Sequence, residues 1–158
     1  ELWPEGSRMY TGHGPIKKGD VVGIDVGLGP LKLATGVVVP ESDAHSFTLM
    51  APEGHAFAGV NTMFAVDDGD GFTRARVSIV IRASDPLYEL GLLWGGHRQE
   101  EQFWAHHLRN LAGEFGQTPP VRLIRRRLDR HGQWKNAKNV RTDAVLRSLV
   151  RRIPGVEV

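Results

Sequence analysis

Residues 86–116 read PLYELGLLWGGHRQEEQFWAHHLRNLAGEFG. This stretch is either the acid–base or metal helix of an enzyme or a long helix closing a hydrophobic cavity. Asp85-Pro86 suits a helix start, because proline at the first helical position gives up no needed N–H and aspartate accepts from the free ones. The apolar residues then recur at helical spacing. Leu87, Leu90, Gly91 and Trp94 share a face in the first part, and Trp104, Leu108, Leu111 and Phe115 in the second. Gly95-Gly96 between them predicts a kink, and Gly116 a C-terminal stop.

Upstream, the period is two. Val22, Ile24, Val26 and Leu28 alternate with Val21, Gly23, Asp25 and Gly27, the pattern of a strand with one apolar face. Leu31 to Val39 is a second strand, entered through Gly29-Pro30 and left at Pro40, and His45 to Ala51 is a third with Phe47 and Leu49 on one face. Val60, Thr62, Phe64 and Val66 lead into Asp67-Asp68-Gly69-Asp70-Gly71, from which Val77, Ile79 and Ile81 return. Asp-Gly steps tolerate positive φ and are the expected chemistry of a hairpin. A calcium loop counted from Asp67 needs a bidentate glutamate at its last position and finds Ser78, so the cluster is a turn. Residues 1–19, rich in glycine and proline, are expected to be loop. The order of strands followed by one long helix predicts an α+β fold.

The bulk properties bound the function. The 158 residues fit one domain with a real core, and no cysteine is present for a disulfide, a thiolate metal site or a thiol nucleophile. No apolar run has membrane-spanning length and no signal-peptide pattern appears, so insertion in a membrane is not expected and cytoplasmic location is. The net charge of +2 hides an asymmetry: residues 1–116 carry nine Lys and Arg against fifteen Asp and Glu, residues 117–158 eleven against three. Gln117-Thr118-Pro119-Pro120 marks the boundary, dividing a domain over 1–116 from a basic extension over 117–158.

The run Phe47-Thr48-Leu49-Met50-Ala51-Pro52-Glu53-Gly54-His55, then Phe57-Ala58-Gly59, resembles the START-like, polyketide-cyclase-type (SRPBCC) helix-grip superfamily. Gly96-His97-Arg98, Phe103-Trp104 and Leu108-Arg109-Asn110-Leu111-Ala112 fit that family's C-terminal helix. The resemblance covers roughly Gly19 to Gly116 and implies a curved antiparallel sheet gripping the helix, with an apolar ligand cavity between them. Ile24, Val26, Phe47, Leu49, Thr62, Phe64, Ile79, Ile81, Trp94, Trp104 and Leu108 would line it. Family members begin with a strand and two short helices ahead of these strands, and Leu2-Trp3-Pro4-Glu5-Gly6 looks like the loop that follows them. Either the chain is a fragment, or the tail completes the fold, with Val121 to Asp129 as strand and Val140 to Ile153 as helix, in a permuted or swapped assembly or homodimer.

The implied function is binding of a hydrophobic small molecule or lipid. An enzyme of the cyclase or dehydratase type, with His55 or His45 as base, is the alternative. His55 follows Gly54 at a loop that the family's geometry sets near the cavity mouth; the plainer reading is a surface histidine. His45 and Thr62 fall in phase with apolar neighbours and are expected to face inward, where such groups orient a ligand. On the long helix, His97 and Glu101 are four apart, but His106 and His107 follow on neighbouring faces, and one straight helix cannot wrap them around one ion. The residues three before His106 and His107 are Phe103 and Trp104, so the Glu-x-x-His spacing of carboxylate metal sites is missing. The expectation is a solvated polar face and no metal. No Gly-x-Ser-x-Gly elbow occurs, and Gly27-x-Gly29 lacks the third glycine of a nucleotide loop, so no cofactor is expected. Arg122, Arg125, Arg126, Arg127 and Arg130 beside His131 and Trp134 offer the cation–aromatic mixture that holds nucleic acid or an anionic surface. They equally suit pairing with the acidic body, and nucleic acid is not the expected partner.

Overall fold

The computed structural model describes residues 7–12, 14–28 and 31–142, without the side chains of 26–28, 31–33, 133, 134 and 142. The architecture is α+β: a six-stranded antiparallel sheet followed by a long helical segment. Strands β1 (Arg8–Tyr10), β2 (Val21–Leu28), β3 (Leu31–Ser42), β4 (Ser46–Met50), β5 (Phe57–Asp67) and β6 (Thr73–Ala83) pair strictly in chain order. Every connection between neighbours is therefore local. Helix α1 (Pro86–Gly91), a π-helical turn (Leu92–Gly96) and helix α2 (His97–Glu114) complete the domain.

Register fixes which side chains face inward. Val22 is 1 % exposed and Val21 73 %, so β2 buries the expected phase. Val22 pairs with Val37, and the core of Val22, Val37, Val39, Leu49 and Met63 is closed by Trp104 of α2. The second strand does not stop at Pro40. It continues to Ser42 through a register shift between Val38 and Glu41, a bulge that accommodates a residue with no N–H to give. The glycine-rich start is not all loop either: Met9 of β1 pairs with Ile24 and packs on the core. The hairpin turn forms as expected. Gly69 N–H donates to Asp67 Oδ1 at 2.9 Å, Phe72 N–H to Asp70 Oδ1 at 3.1 Å, and Arg76 meets Asp68 at 3.1 Å.

The kink also falls where the glycine pair predicts it, with Gly95 at φ 119°. Gly116, at φ 67°, ends the helix while the N–H of Gln117 returns to the Ala112 carbonyl at 3.0 Å. The faces of the helical segment depart from expectation. Asp85, 1 % exposed, accepts from the N–H groups of Leu87 at 2.8 Å and Tyr88 at 3.0 Å. Anchoring this cap in the interior turns Tyr88, Glu89 and Leu92 inward and leaves Leu87, Leu90, Leu93 and Trp94 exposed. Phe115, past the end of α2, is exposed too.

The stretch 121–129 is not a strand; residues 117–132 have no regular structure. Arginines alternating on both faces leave no apolar side to join a sheet. The segment crosses α2 instead, with Arg125 3.1 Å from Glu101 and Asp129 3.7 Å from Arg82. A 3-10 helical stretch, Gln133–Thr142, follows, and Asn139 Nδ2 donates to the Ser84 carbonyl at 2.9 Å. The remainder of the expected helix from Val140 to Ile153 lies outside the described residues beyond 142. No helix among the described residues is long and apolar enough to cross a membrane.

Candidate functional site

The core-facing side of the sheet and the stripe of α2 that packs on it through Trp104 hold buried polar groups. On the sheet side, Leu49 pairs with Asn61, and Asn61 with Ile79, so all three project to the same face; Phe47, Met63 and Val77 form the parallel row. Ile24, Phe47, Val77 and Ile79 are half-buried around the sealed core. From the helix come Glu100, Trp104 and His107, spaced by four and three and so on one stripe, with Phe103 beside them. Trp104 lies edge-on to Phe103 at 5.2 Å and to His107 at 5.9 Å.

The expected solvated face is present in Arg98, Gln99, Gln102, His106 and Arg109, all exposed, but two polar residues of the helix lie on the inner side instead. His107 is only 6 % exposed, and Glu100 is half-buried. The Glu100 carboxyl is pushed up to about 7, by burial first and by the neighbouring Glu101 charge second. Desolvation disfavours the charged form and a like charge adds to it, which leaves a carboxyl near half-protonated at neutral pH. Glu101 points to the other side, to Arg125. A third polar group is the Asn61 side-chain oxygen, buried without a hydrogen-bond partner.

The expected lining residues divide. Ile24, Phe47, Leu49, Ile79 and Trp104 belong to or pack on the core, and Ile81, opposite Gly59, shares the face of Ile79. Leu108 is half-buried. Val26 lies in β2, with its side chain outside the described residues. Thr62 and Phe64 are on the other face of the sheet: they pair with Thr48 and Ser46, and Thr62 shares a 3.0 Å hydrogen bond with Thr48. Trp94 is 88 % exposed and does not reach the core.

The two histidines proposed as bases fare differently. His45 is exposed in the β3–β4 turn, its N–H donating to Asp43 Oδ1 at 2.7 Å, so it does not face inward. His55 is half-buried, and its Nδ1 accepts from the Phe57 N–H at 3.0 Å. Burial holds its imidazole below the usual range, only partly offset by the Phe57 backbone. The carbonyl of His55 takes the Ser84 hydroxyl at 2.7 Å. The side-chain bond is thus local to the loop ahead of β5, and it is the His55 backbone carbonyl that ties this loop to the end of β6.

Sequence reasoning missed Glu100, His107 and Asn61. The first two carry a signal, for Trp104 is central to the helix face and Glu100 and His107 stand one turn to either side of it. Asn61 carries none in its own strand.

Two open concavities lie elsewhere. One, about 240 Å³, is lined by Thr11, Gly12, Gly14, Pro15, Lys17, Asp20 and Val21. The other, about 390 Å³, lies between the outer side of α2 (Arg98, Glu101, Gln102, Ala105, His106, Arg109) and Leu123 of the tail. Among the described residues, no three His, Asp or Glu side chains converge as metal ligands would. Compared with family models, curated proteins and solved structures, the chain matches none.

Proposed function

We propose that the chain is a helix-grip binding domain that takes an apolar small molecule or lipid between the inner face of the sheet and α2. The observation that carries this reading is the incomplete sealing of that face. Ile24, Phe47, Val77, Ile79 and Phe103 surround the core yet stay half-buried. Apolar area left partly in water is area a ligand gains by covering, at roughly 25 cal/mol per Å². The desolvated carboxyl of Glu100 and the amide of Asn61 are the few polar groups that orient a ligand in such a setting.

The test is Ile79→Trp with a fluorescent apolar probe. Filling a groove removes probe binding and holds the melting temperature. Overfilling a packed core costs about 1–3 kcal/mol and lowers it. A wild-type protein that never binds the probe, with an Ile79→Trp variant that melts early, overturns the proposal.

Glu100 favours a second reading, an enzyme of the cyclase or dehydratase type. A general acid or base works best with a pKa near the operating pH, and Glu100 has one. In that reading the proton carrier is Glu100 with His107 on its stripe, in place of His45 and His55. Conversion of a poly-β-ketone probe to an aromatic product, lost in Glu100→Gln while probe binding persists, separates the enzyme from the carrier.

A further inference from the structure

We infer that the concavity between the outer side of α2 and the tail is a binding site for a long-chain dicarboxylate, one carboxylate at Arg98 and the other at Arg109. The site is separate from the sheet–helix interior and does not depend on what that interior binds. Arg98, Gln102, Ala105 and Arg109 follow one another at steps of four, three and four along α2, so they form one stripe on its outer side. Ala105, the short side chain in the middle, is buried and floors the concavity, while Leu123 of the tail lines it from the other side. The volume, about 390 Å³, is that of a small-molecule site. Arg98 and Arg109 stand at the two ends of the stripe. Both are exposed, and among the described residues neither has an acidic partner. The acid that does line the concavity, Glu101, is taken up by Arg125 of the tail at 3.1 Å. Two positive charges therefore stay uncompensated on a body that otherwise carries excess acid.

Their spacing selects the ligand. An α-helix rises about 1.5 Å per residue, which sets the Cα atoms of Arg98 and Arg109 about 16 Å apart. A compact anion meets both guanidinium groups only by drawing the two side chains over the apolar middle. A molecule charged at each end pairs each guanidinium with a carboxylate, which the planar fork matches. Its methylene chain then lies on Ala105 and Leu123, where apolar contact is gained.

Isothermal titration calorimetry of the whole chain with sebacate and decanoate tests this, since the two share a chain length and differ at one end, carboxylate against methyl. Wild type should prefer sebacate by about fivefold to tenfold, the contribution of one charge-assisted pair in an open site. Arg98→Gln and Arg109→Gln, both at exposed positions where substitution leaves folding intact, should each lose that preference. Sebacate should also slow chymotrypsin cleavage at Leu123, which lines the site. Equal affinity for the two probes in wild type, or binding of neither, overturns the inference, as does a preference that survives in both variants. Cleavage at Leu123 that sebacate does not slow puts the ligand elsewhere and overturns it too. Inorganic phosphate binding as tightly as sebacate overturns the two-ended ligand in favour of a compact anion.

Discussion

Glu100 makes the domain pH-sensitive in a direction opposite to most carboxylates. Its ordinary value is 4.5 and burial raises it to about 7, so the folded state prefers the protonated form. The stability this gives is fully present below the ordinary value and is lost as pH rises towards and through about 7. Glu100→Gln removes the dependence. At pH 8 the variant is expected to exceed wild type by on the order of 1–2 kcal/mol, the shift being discounted for the partial exposure of the carboxyl. At pH 4 the two should agree within about 0.5 kcal/mol. Urea unfolding at both pH values measures it, and equal differences at both would refute the desolvated carboxyl. His55 acts with the other sign, losing stability as pH falls, but it is common to both proteins and cancels. Gly59 is a second residue whose identity is dictated. At φ 152°, a Cβ there would stand 2.1 Å from the Val80 carbonyl oxygen and 2.8 Å from the Ile81 Cα. Backbone has nowhere to retreat inside a ladder, so Gly59→Ala should cost about 3 kcal/mol or more, read as a lowered urea midpoint.

At the scale of elements, the cap of α1 decides what the helical segment shows to solvent. Asp85→Ala leaves two N–H groups without an acceptor beneath a buried helix end and should cost about 1–2 kcal/mol. Asp85→Asn keeps an acceptor and should recover most of it, so equal losses in thermal melts would mean that the carboxylate does more than cap. The cap also explains what the sequence left hidden. Its presence is legible in Asp85-Pro86, but its depth is not, and depth sets which of two apolar sides turns inward. Leu87, Leu90 and Trp94 form as good a stripe as any on paper. The same limit governs β5. Val60, Thr62, Phe64 and Val66 are more β-branched and more apolar than Phe57, Gly59, Asn61 and Met63, and taken alone the strand should bury them. Its neighbours overrule it. Phe47 and Leu49 on one side and Val77 and Ile79 on the other must face the core, and antiparallel register then delivers Met63 and Asn61 to that face. A slip by one residue would reverse every side chain. Strands with an unambiguous phase, β2 and β6, were readable without their partners. The hairpin turn, the kink and the helix stop were readable because each depends on a local glycine or aspartate.

The whole molecule joins an acidic body to a basic tail, and the join is partly electrostatic. Arg125 meets Glu101 on the outer side of α2, Arg82 meets Asp129, and Ala105, one turn after Glu101, is only 3 % exposed. Leu123 and Ala105 line the same concavity, so the strap has a small apolar footing as well as ion pairs. The Arg125–Glu101 pair is solvent-accessible, and such pairs contribute about 0.2–1 kcal/mol. Opening of the strap is therefore shallow, and cleavage within it follows the open population. Chymotrypsin cutting at Leu123 and Leu128, both exposed, should be faster in Glu101→Arg and in Arg125→Glu by about 1.4-fold to fivefold. The exchanged pair, Glu101→Arg with Arg125→Glu, restores the attraction with its charges reversed and should return cleavage to the wild-type rate. In 1 M salt, where the screening length is about 3 Å, all four proteins should be cut alike. Rates that ignore both the reversals and the salt would mean that the strap is held by Leu123 and the Asn139–Ser84 hydrogen bond alone, leaving the tail's positive charge without a task in the fold.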